Sequence, residues 1–325
     1  MILAGDIGGT NTRLALFRRE DERLRITEEA TFRSREYGSL DEIVVQFVSS
    51  RKLAVERASF GIAGPIKNGR CEATNLAWIV DGRQLAGKLN IEKVVLIKDL
   101  EANAYGIAML ESKDFVILNR GASDASGNAA IISAGTGLGE AGLFWDGKQH
   151  HPFACEGGHT DLAPRNELEV DLLRYLLTKF NRVSYERAVS GPGLVNIYDF
   201  LRSTGRGQES PRITEEMRQQ NPAAVISKAA MDGTCPLSVQ ALDLFVSLYG
   251  AEAGNLALKI MSTGGVFVGG GIAPKILPKL TGSLFIEAFT DKGRMSPVLK
   301  AMPVRIILND KTALLGAARC ALDSM

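Results

Sequence analysis

The sequence predicts an α/β protein with two related domains, and three observations support this prediction. Patterns typical of strands and helices alternate along the chain. The 325 residues exceed the roughly 150 that one domain usually needs. Two glycine-rich segments, residues 5–17 (GDIGGTNTRLALF) and 132–144 (ISAGTGLGEAGLF), each indicate a strand, a tight polar turn and a second strand. Their threonines, Thr10 and Thr136, lie 126 positions apart, which suggests one such hairpin in each domain.

Strand and helix signals alternate in the first third of the chain. Strands are predicted at 2–7, 12–18, 24–33, 57–63 and 93–97. A helix is predicted over 41–50, and another follows the strand VVLI with Asp99 at its N-terminus.

The order restarts near residue 110. The strands DFVIL and AAIIS come first, and GGVFVGGGIAPKIL later indicates a strand, a triple-glycine turn and a helix. Helices are predicted over 166–180, with Asn166 and Glu169 in capping-box positions, and over 236–263. The polar stretch 202–222 is expected to be a surface excursion that ends where Asn221-Pro222 starts a helix. The strand VRIIL and the helix KTALLGAARCAL complete the pattern.

Charge and hydropathy argue against two classes of partner. Lys plus Arg number 38 and Asp plus Glu number 37, so no bulk positive charge favours nucleic acid or an anionic membrane. No apolar run reaches the roughly 18 residues of a membrane-spanning helix. Asp6 interrupts the first apolar run and no basic segment precedes it, so this run is predicted to be a strand rather than a signal peptide.

The cysteines favour a reducing compartment. Cys71, Cys155, Cys235 and Cys320 show no C-x-x-C spacing, and a chain of this length folds without disulfides. We therefore predict reduced thiols in a cytoplasmic protein. Zinc binding is not expected, because there are three histidines and the His150-His151 pair belongs to a predicted surface hairpin beside Asp146-Gly147.

The first glycine turn is the main candidate for phosphate binding. Gly8 and Gly9 let backbone N–H groups point at an anion, and Thr10 adds a hydroxyl. Asp6, at the end of the preceding strand, could bind Mg²⁺ through water. An ordinary hairpin turn is the alternative, but the second copy at 134–139 favours phosphate binding. Gly269-Gly270-Gly271 would let a planar ligand approach the backbone, or would form a simple tight turn.

Two further motifs each allow two interpretations. Asp99 either accepts a proton from a substrate hydroxyl or caps the helix that follows it, and spacing alone favours the cap. Glu156-Gly-Gly-His159 lacks the helix that H-E-x-x-H needs. It forms either a loop that presents an acceptor and a ring to a polar substrate such as a sugar, or a surface turn.

Eight motifs together resemble the bacterial glucokinase family, ATP-dependent hexose kinases of the hexokinase–actin–Hsp70 ATPase superfamily. In chain order they are GDIGGTNTRLALF, FGIAGPIKNG, TNLAW, VVLIKDLEANAYGI, SAGTGLG, CEGGHTDLAP, YERAVSGPGLVNIY and GGVFVGGGI. The most specific are TNLAW, EGGHTDLAP and SGPGLVNIY. The resemblance implies an actin-like, ribonuclease H-like α/β fold with ATP and its Mg²⁺ in a cleft between two domains, 1–109 with 311–325 and 110–310.

The resemblance also implies roles for individual positions. Asp99 matches the base that accepts the proton of the sugar 6-hydroxyl, so it becomes the expected catalytic residue as well as a cap. The residues expected to bind sugar are Asn75, Lys98, Asp99, Glu156, His159 and Glu186. Those expected to bind the nucleotide are Gly5, Asp6, Ile7, Gly8, Gly9, Thr10, Asn11, Gly135, Thr136, Gly137, Gly269, Gly270 and Gly271.

One position departs from the family pattern, since Lys98 stands where the family usually has Asn before its catalytic Asp. A lysine there could reach a sugar hydroxyl or turn to solvent. No cysteine cluster follows EGGHTDLAP, so no zinc is implied. Glucose is the expected acceptor and a homodimer the expected assembly. The alternatives are a kinase for another hexose and a non-catalytic sugar-sensing regulator.

Overall fold

A computed structural model of the protein describes residues 1–21, 23–49, 54–74 and 76–324. The strands of this described part are β1 (Ile2–Ile7), β2 (Asn11–Glu20), β3 (Arg23–Arg33), β4 (Arg57–Ile62), β5 (Ile66–Lys67), β6 (Arg70–Glu72), β7 (Ile79–Asp81), β8 (Val94–Lys98), β9 (Phe115–Asn119), β10 (Ala129–Ala134), β11 (Leu138–Trp145), β12 (His150–Ala154), β13 (Gly265–Gly269) and β14 (Val304–Ile307).

The α-helices of the described part are α1 (Leu40–Ser49), α2 (Gly82–Leu89), α3 (Asp99–Ile107), α4 (Glu167–Leu177), α5 (Gly191–Ser203), α6 (Pro211–Gln219), α7 (Pro222–Met231), α8 (Pro236–Ile260), α9 (Leu277–Leu280), α10 (Ser283–Thr290), α11 (Ser296–Ala301) and α12 (Thr312–Asp323). Short 3₁₀ turns include Gly157–His159 and Tyr185–Arg187. No helix among the described residues is both long enough and apolar enough to cross a membrane.

The chain forms two compact units. The first unit comprises residues 1–112, 151–154 and 309–325. Its main sheet has the order β3-β2-β1-β4-β8. β1 pairs antiparallel with β2 and parallel with β4, which in turn pairs parallel with β8. Alternate β1 residues face opposite sides, so Ile2 and Ala4 pack on α12 while Leu3 and Ile7 join the cluster that includes α1.

The second unit comprises residues 113–150 and 155–308. Its strands follow the order β11-β10-β13-β14-β9. β10 pairs antiparallel with β11 and parallel with β13, and β13 pairs parallel with β14. The long, largely buried helix α8 packs against β10 and β13. The second unit therefore repeats the arrangement of the first, a hairpin followed by two parallel neighbours.

Helix boundaries follow local signals in the sequence. Asn221 caps α7 by accepting the N–H of Ala224 at 3.1 Å, as the Asn-Pro start predicts. Asn166 caps α4 by accepting the N–H of Glu169. The capping box is incomplete, because the Glu169 carboxylate accepts from the N–H and guanidinium of Arg165 instead. The stretch 202–222 also differs from the prediction, since α6 lies within it and buries Ile213.

Candidate active site

The last residue pair of the β1–β2 hairpin is Ile7↔Thr12, so residues 8–11 form the first glycine turn. Gly8 N–H donates to the carbonyl of Asn11 at 3.0 Å, which closes the turn. Ser34, which is fully buried, holds the turn from behind by donating to the carbonyl of Gly8 at 2.8 Å. Within the described residues, the N–H groups of Gly9 and Thr10 have no hydrogen-bond partner. The exposed turn thus presents two N–H donors and the Thr10 hydroxyl, which is the donor set that a phosphate needs.

Asp6 lies two residues before this turn and is half-buried. In the register of the parallel strands, Asp6 pairs with Gly61, and Gly61 pairs with Ile97 near the end of β8. The carboxyl ends of β1 and β8 therefore lie on one edge of the sheet. Burial, together with the negative charge of Asp99, raises the pKa of Asp6 to about 6, while Arg13 opposes the shift. Asp6 and Asp99 thus form a carboxylate pair beside the turn.

Asp99 is the first residue of α3. Its Oδ1 accepts the N–H of Leu100 at 2.9 Å. The N–H of Lys98, one residue earlier, donates to the carboxylate of Glu101 at 3.3 Å. The cap that the spacing favoured is therefore displaced by one residue: Lys98 is the N-cap, and Asp99 is the first helical residue. Gly61 makes this arrangement possible, because a side chain there would press on Ala102 and force α3 away from β4.

The first unit offers hard oxygen donors that suit Mg²⁺. Two carboxylates, Asp6 and Asp99, interact electrostatically beside the first glycine turn. The described residues include no group of three or more His, Cys, Asp or Glu side chains that could hold a metal ion by themselves. This combination fits Mg²⁺, which keeps several waters and is commonly bound through one or two carboxylates together with substrate phosphates.

The last residue pair of the β10–β11 hairpin is Ala134↔Leu138, so residues 135–137 form the second glycine turn, one residue fewer than the first. Gly135 N–H donates to the carbonyl of Gly137 at 2.8 Å, and the carbonyl of Gly135 accepts the N–H of Gly191 at 2.8 Å. Thr136 is exposed at the tip of the turn. The start of α5 therefore fixes this turn, and Ser190 caps that helix by accepting the N–H of Gly193.

Gly269-Gly270-Gly271 lies against the end of β10. Gly270 has a φ of +85°, and a side chain there would collide with the carbonyl of Ala134. Ile272 N–H donates to the same carbonyl at 3.3 Å. Gly271 faces open space. The triple-glycine segment thus lies beside the second turn, where it can be approached by a ligand bound there.

Glu186 connects the second glycine turn to the loop 156–159. Its Oε2 accepts the N–H of Leu138, directly after the turn, at 3.0 Å. A side chain on Gly137 would collide with the Glu186 carboxylate, so glycine is needed for this contact. The residue before Glu186, Tyr185, donates its N–H to the carbonyl of Thr160 at 2.9 Å. Glu186 therefore touches the second glycine turn and neighbours the loop that carries His159.

The loop with Glu156 and His159 is a single 3₁₀ turn in which both side chains are exposed. His159 N–H donates to the carbonyl of Glu156 at 3.0 Å. Its two glycines let the loop lie directly on β11: side chains on Gly157 and Gly158 would collide with Glu140 and with the carbonyl of Leu138. The double glycine is therefore a packing requirement, and the flanking Glu156 and His159 side chains are exposed.

The structure brings the predicted residues together in two groups. The first unit holds Asp6, the turn 8–11, Lys98 and Asp99, and the second holds the turn 135–137, the segment 269–271, Glu156, His159 and Glu186. Gly5 and Ile7 are buried in the first core, where a side chain on Gly5 would collide with Phe60. Asn75 lies outside the described residues.

Two supporting residues escaped the sequence analysis. Ser34 braces the first turn across a long sequence separation. Tyr249 accepts the N–H of Ala134 at 3.1 Å and so fixes the end of β10 from inside α8. No local sequence signal marks either role, because Ser34 and Tyr249 act on residues that are distant in the chain.

Comparison with known proteins gives consistent matches over the full chain. A family model described as Glucokinase matches residues 3–324. A glucokinase from Nostoc sp. is 47% identical, over 99% of this chain and 98% of the relative. The crystal structure of a glucokinase from an Antarctic psychrotroph superposes with a TM-score of 0.87 at 33% identity, over 99% of this chain and 98% of that one.

A more distant solved structure comes from Streptomyces griseus. It is a ROK family glucokinase in complex with glucose and AMPPNP, with a TM-score of 0.66 at 21% identity over 99% of both chains. At that identity it supports the fold only. Together the solved structures confirm the predicted α/β fold of the actin-like, two-domain class.

Proposed function

Because the chain belongs to the glucokinase family, we propose that it transfers the γ-phosphoryl group of ATP to the 6-hydroxyl of D-glucose, giving glucose 6-phosphate and ADP. The observation that carries this proposal is the position of Glu186. One oxygen of its carboxylate accepts from the second glycine turn, and its neighbour Tyr185 pairs with the loop of Glu156 and His159. A sugar ligand and a nucleotide turn are thus joined in one unit.

In this proposal the first unit supplies the chemistry. Asp99 accepts the proton of the sugar 6-hydroxyl, and that oxygen forms a bond to the γ-phosphorus as the bond to the β,γ-bridging oxygen breaks. Phosphoryl transfer passes through a loose transition state, so positioning and charge neutralisation provide most of the rate enhancement. The Gly9 and Thr10 N–H groups and the Thr10 hydroxyl face the phosphates.

Asp6 is the proposed Mg²⁺ ligand, through water. When bound, Mg²⁺ neutralises charge on the β- and γ-phosphate oxygens. Asp6 must be ionised for this role, and its pKa of about 6 leaves it mostly ionised at pH 7. Asp99 contributes to that raised pKa, so a cation held by Asp6 would also relieve the repulsion between the two carboxylates.

The second unit selects the sugar. Glu156, His159 and Glu186 are the proposed hydroxyl ligands, with Asn75, Lys98 and Asp99 from the first unit. A site built to pair hydroxyls rejects an analogue that lacks one by ~10⁴-fold, since its polar groups then stay unpaired. The turn 135–137 holds phosphates, and Gly269-Gly270-Gly271 receives the adenosine.

We further propose a cytoplasmic homodimer with domain boundaries at 1–109 with 311–325 and at 110–310. The function is tested by an assay that crosses ATP, ADP and polyphosphate with glucose, fructose, mannose and N-acetylmannosamine. We expect ATP with glucose to give the highest kcat/KM. Faster turnover of another hexose would identify that hexose, rather than glucose, as the preferred substrate. ADP formation without any sugar would contradict the kinase assignment.

A further inference from the structure

Two buried glutamates of the second unit interact electrostatically. Glu140 on β11 is 2% exposed, and Glu252 on α8 is fully buried. Glu140 occupies the third pair from the turn of its hairpin, where it lies opposite Ile132. The first unit's hairpin has the fully buried Leu14 at that place, opposite Gly5. The first hairpin thus buries an apolar side chain at this position, whereas the second hairpin buries a carboxyl group there.

Glu252 is held as the ionised member of the pair. Its Oε2 accepts a hydrogen bond from Nδ2 of Asn255 at 2.8 Å, and its Oε1 lies 3.6 Å from Nζ of Lys259. Lys292 fixes the Asn255 amide by donating to its Oδ1 at 2.6 Å. With its oxygen accepting from Lys292, the amide must turn its N–H₂ toward Glu252. Donors and positive charge therefore favour a carboxylate on Glu252.

Glu140 lacks such donors. Among the described residues, no N–H or hydroxyl group donates to either of its carboxyl oxygens. Burial and the charge of Glu252 raise the pKa of Glu140 to about 8. Burial also raises the pKa of Glu252. At neutral pH the pair accordingly holds one proton, carried by Glu140 and facing the Glu252 carboxylate.

The opposite side of Glu140 is the loop 156–159. Gly157 lies so close to the Glu140 carboxyl that no Cβ would fit between them. Gly157 stands between Glu156 and His159, the two proposed sugar ligands of this loop. Glu140 thus fills the space between α8 and the backbone that positions those ligands.

We propose that Glu140 is a positioning residue for the sugar: through the proton that it shares with Glu252 it supports the loop 156–159, and loss of that proton weakens sugar binding. The inference rests on the proposed function, because it assigns Glu156 and His159 to the sugar. When both carboxyl groups are ionised, two negative charges face each other in the interior. One must move, and the backbone of Gly157 is the neighbour that Glu140 displaces.

The groups around the pair restrict the pH range of the effect. Lys259 and Lys292 approach from the Glu252 side, and Tyr249 from the end of β10. Burial raises the pKa of Tyr249 and raises that of Tyr185 to about 12, so both phenols stay neutral at pH 9. Burial lowers the pKa of Lys292, and this lysine therefore needs its own control.

The expected effect is a rise in the KM for glucose above pH 8. If only molecules that retain the shared proton bind glucose well, about a tenth of them remain competent at pH 9, and KM rises by up to about tenfold between pH 7 and 9. The kcat at saturating glucose changes less, because bound glucose restores the competent loop. Glu140→Gln removes the titration while keeping the side-chain size, so its KM should stay flat over this range.

The experiment measures KM and kcat for glucose from pH 6 to 9.5 in the wild type, Glu140→Gln, Glu252→Gln and two controls. Both pair variants should flatten the KM profile. Glu169→Gln changes another fully buried glutamate of the same unit, one paired with Arg165 at 2.6 Å, and should keep the wild-type profile shape. Lys292→Arg keeps the charge and should keep it too. A profile that persists in both pair variants, or that flattens in Lys292→Arg, overturns the inference.

A direct titration completes the test if a variant fails to fold. In wild-type protein labelled with ¹³C at glutamate side-chain carboxyls, one resonance should titrate near pH 8 and shift upward in pH when glucose binds. All resonances titrating below pH 6 would overturn the shared proton whatever the substrate proves to be. Loss of glucose phosphorylation at every pH would instead contradict the proposed function.

Discussion

The two glycine hairpins share a topology but differ in the residues that face their ligands. The second pair from the turn is Asp6↔Arg13 in the first unit and Ser133↔Gly139 in the second. The first turn therefore has a carboxylate and a guanidinium beside it, whereas the second has a hydroxyl and a glycine. The same strand order carries the charged, metal-binding half of the proposed chemistry in one unit and a neutral phosphate contact in the other.

The contrast extends to the elements that brace each turn. Ser34, a small hydroxyl side chain, holds the first turn. The second turn is held by Glu186 and by the start of α5. Leu138, directly after the second turn, is thus connected by one hydrogen bond to Glu186, a proposed sugar ligand. The comparison predicts that variants of the first unit change kcat and metal dependence, and that variants of the second change glucose affinity.

Asp99→Asn should have the largest effect. Removing a general base lowers kcat by about 10²–10⁴-fold, while ATP affinity changes little because the phosphate turns are untouched. Steady-state kinetics with a coupled ADP assay measures the loss. The matched control is Glu101→Gln, two residues along α3, whose carboxylate accepts the N–H of Lys98; this variant should retain most turnover. Near-normal kcat in Asp99→Asn would refute the base.

Asp6→Asn should have the next largest effect. A residue that binds a metal through water typically contributes about 10- to 100-fold in metal affinity, so we expect activity at limiting Mg²⁺ to fall by that factor and to recover partly at high Mg²⁺. Since the pKa of Asp6 is raised to about 6, wild-type activity at limiting Mg²⁺ should fall as pH drops through 6.

Added Mg²⁺ stabilises the ionised Asp6 carboxylate. In the wild type it should therefore move the acidic side of the pH–activity profile to lower pH. The shift should be absent in Asp6→Asn. Arg18→Gln, an exposed substitution further along β2, serves as the control for the strand. An acidic side of the profile that still moves with Mg²⁺ in Asp6→Asn would assign the metal to another residue.

Glu186→Gln tests the connection within the second unit. A hydrogen bond to a charged group contributes about 1.5–3 kcal/mol, and the amide retains part of it, so we expect the KM for glucose to rise about tenfold. The KM for ATP should rise by a smaller factor, through the contact with Leu138. Glu167→Gln, an exposed residue of α4, is the control. If Glu186→Gln changes the KM for ATP but not the KM for glucose, Glu186 acts on nucleotide binding alone.

The last prediction concerns stability rather than turnover. Glu140 has a folded pKa of about 8, raised from 4.5, so between these values the folded state binds more protons than the unfolded state. Wild-type stability should therefore fall relative to Glu140→Gln as pH rises from 4.5 to 8, by up to about 1.4 kcal/mol per pH unit. Urea unfolding at pH 6 and pH 8 measures the difference. A difference that does not change with pH would show that Glu140 is ionised in the folded state.

Local patterns predicted much of this molecule. The strand β1 and the starts of β2 and α7 lie within a residue of their predicted positions, because apolar patterning and the Asn221-Pro222 cap act over short distances. The glycines of EGGH were visible as a loop signal, but their cause, the approach to Glu140 and Leu138, is a tertiary contact. Helix α6 was missed because its polar residues outweigh the single buried Ile213.

The parts that escaped prediction depend on residues distant in sequence. Ser34 reaches back to Gly8, and Glu140 meets Glu252 on another element. No spacing rule links such partners. The one-residue difference between the turns was also hidden, because it becomes visible only in the strand registers.

The central claim is that the first unit determines kcat and the second determines glucose affinity. It is tested most directly by measuring the glucose dissociation constant and the saturated kcat separately in Asp99→Asn and Glu156→Gln. Calorimetry gives the first quantity and a coupled assay the second. Asp99→Asn should lose kcat while binding glucose within a few-fold of wild type, and Glu156→Gln should bind glucose about tenfold more weakly while keeping most of its saturated kcat. The same loss pattern in both variants, or the reverse assignment, would contradict the account.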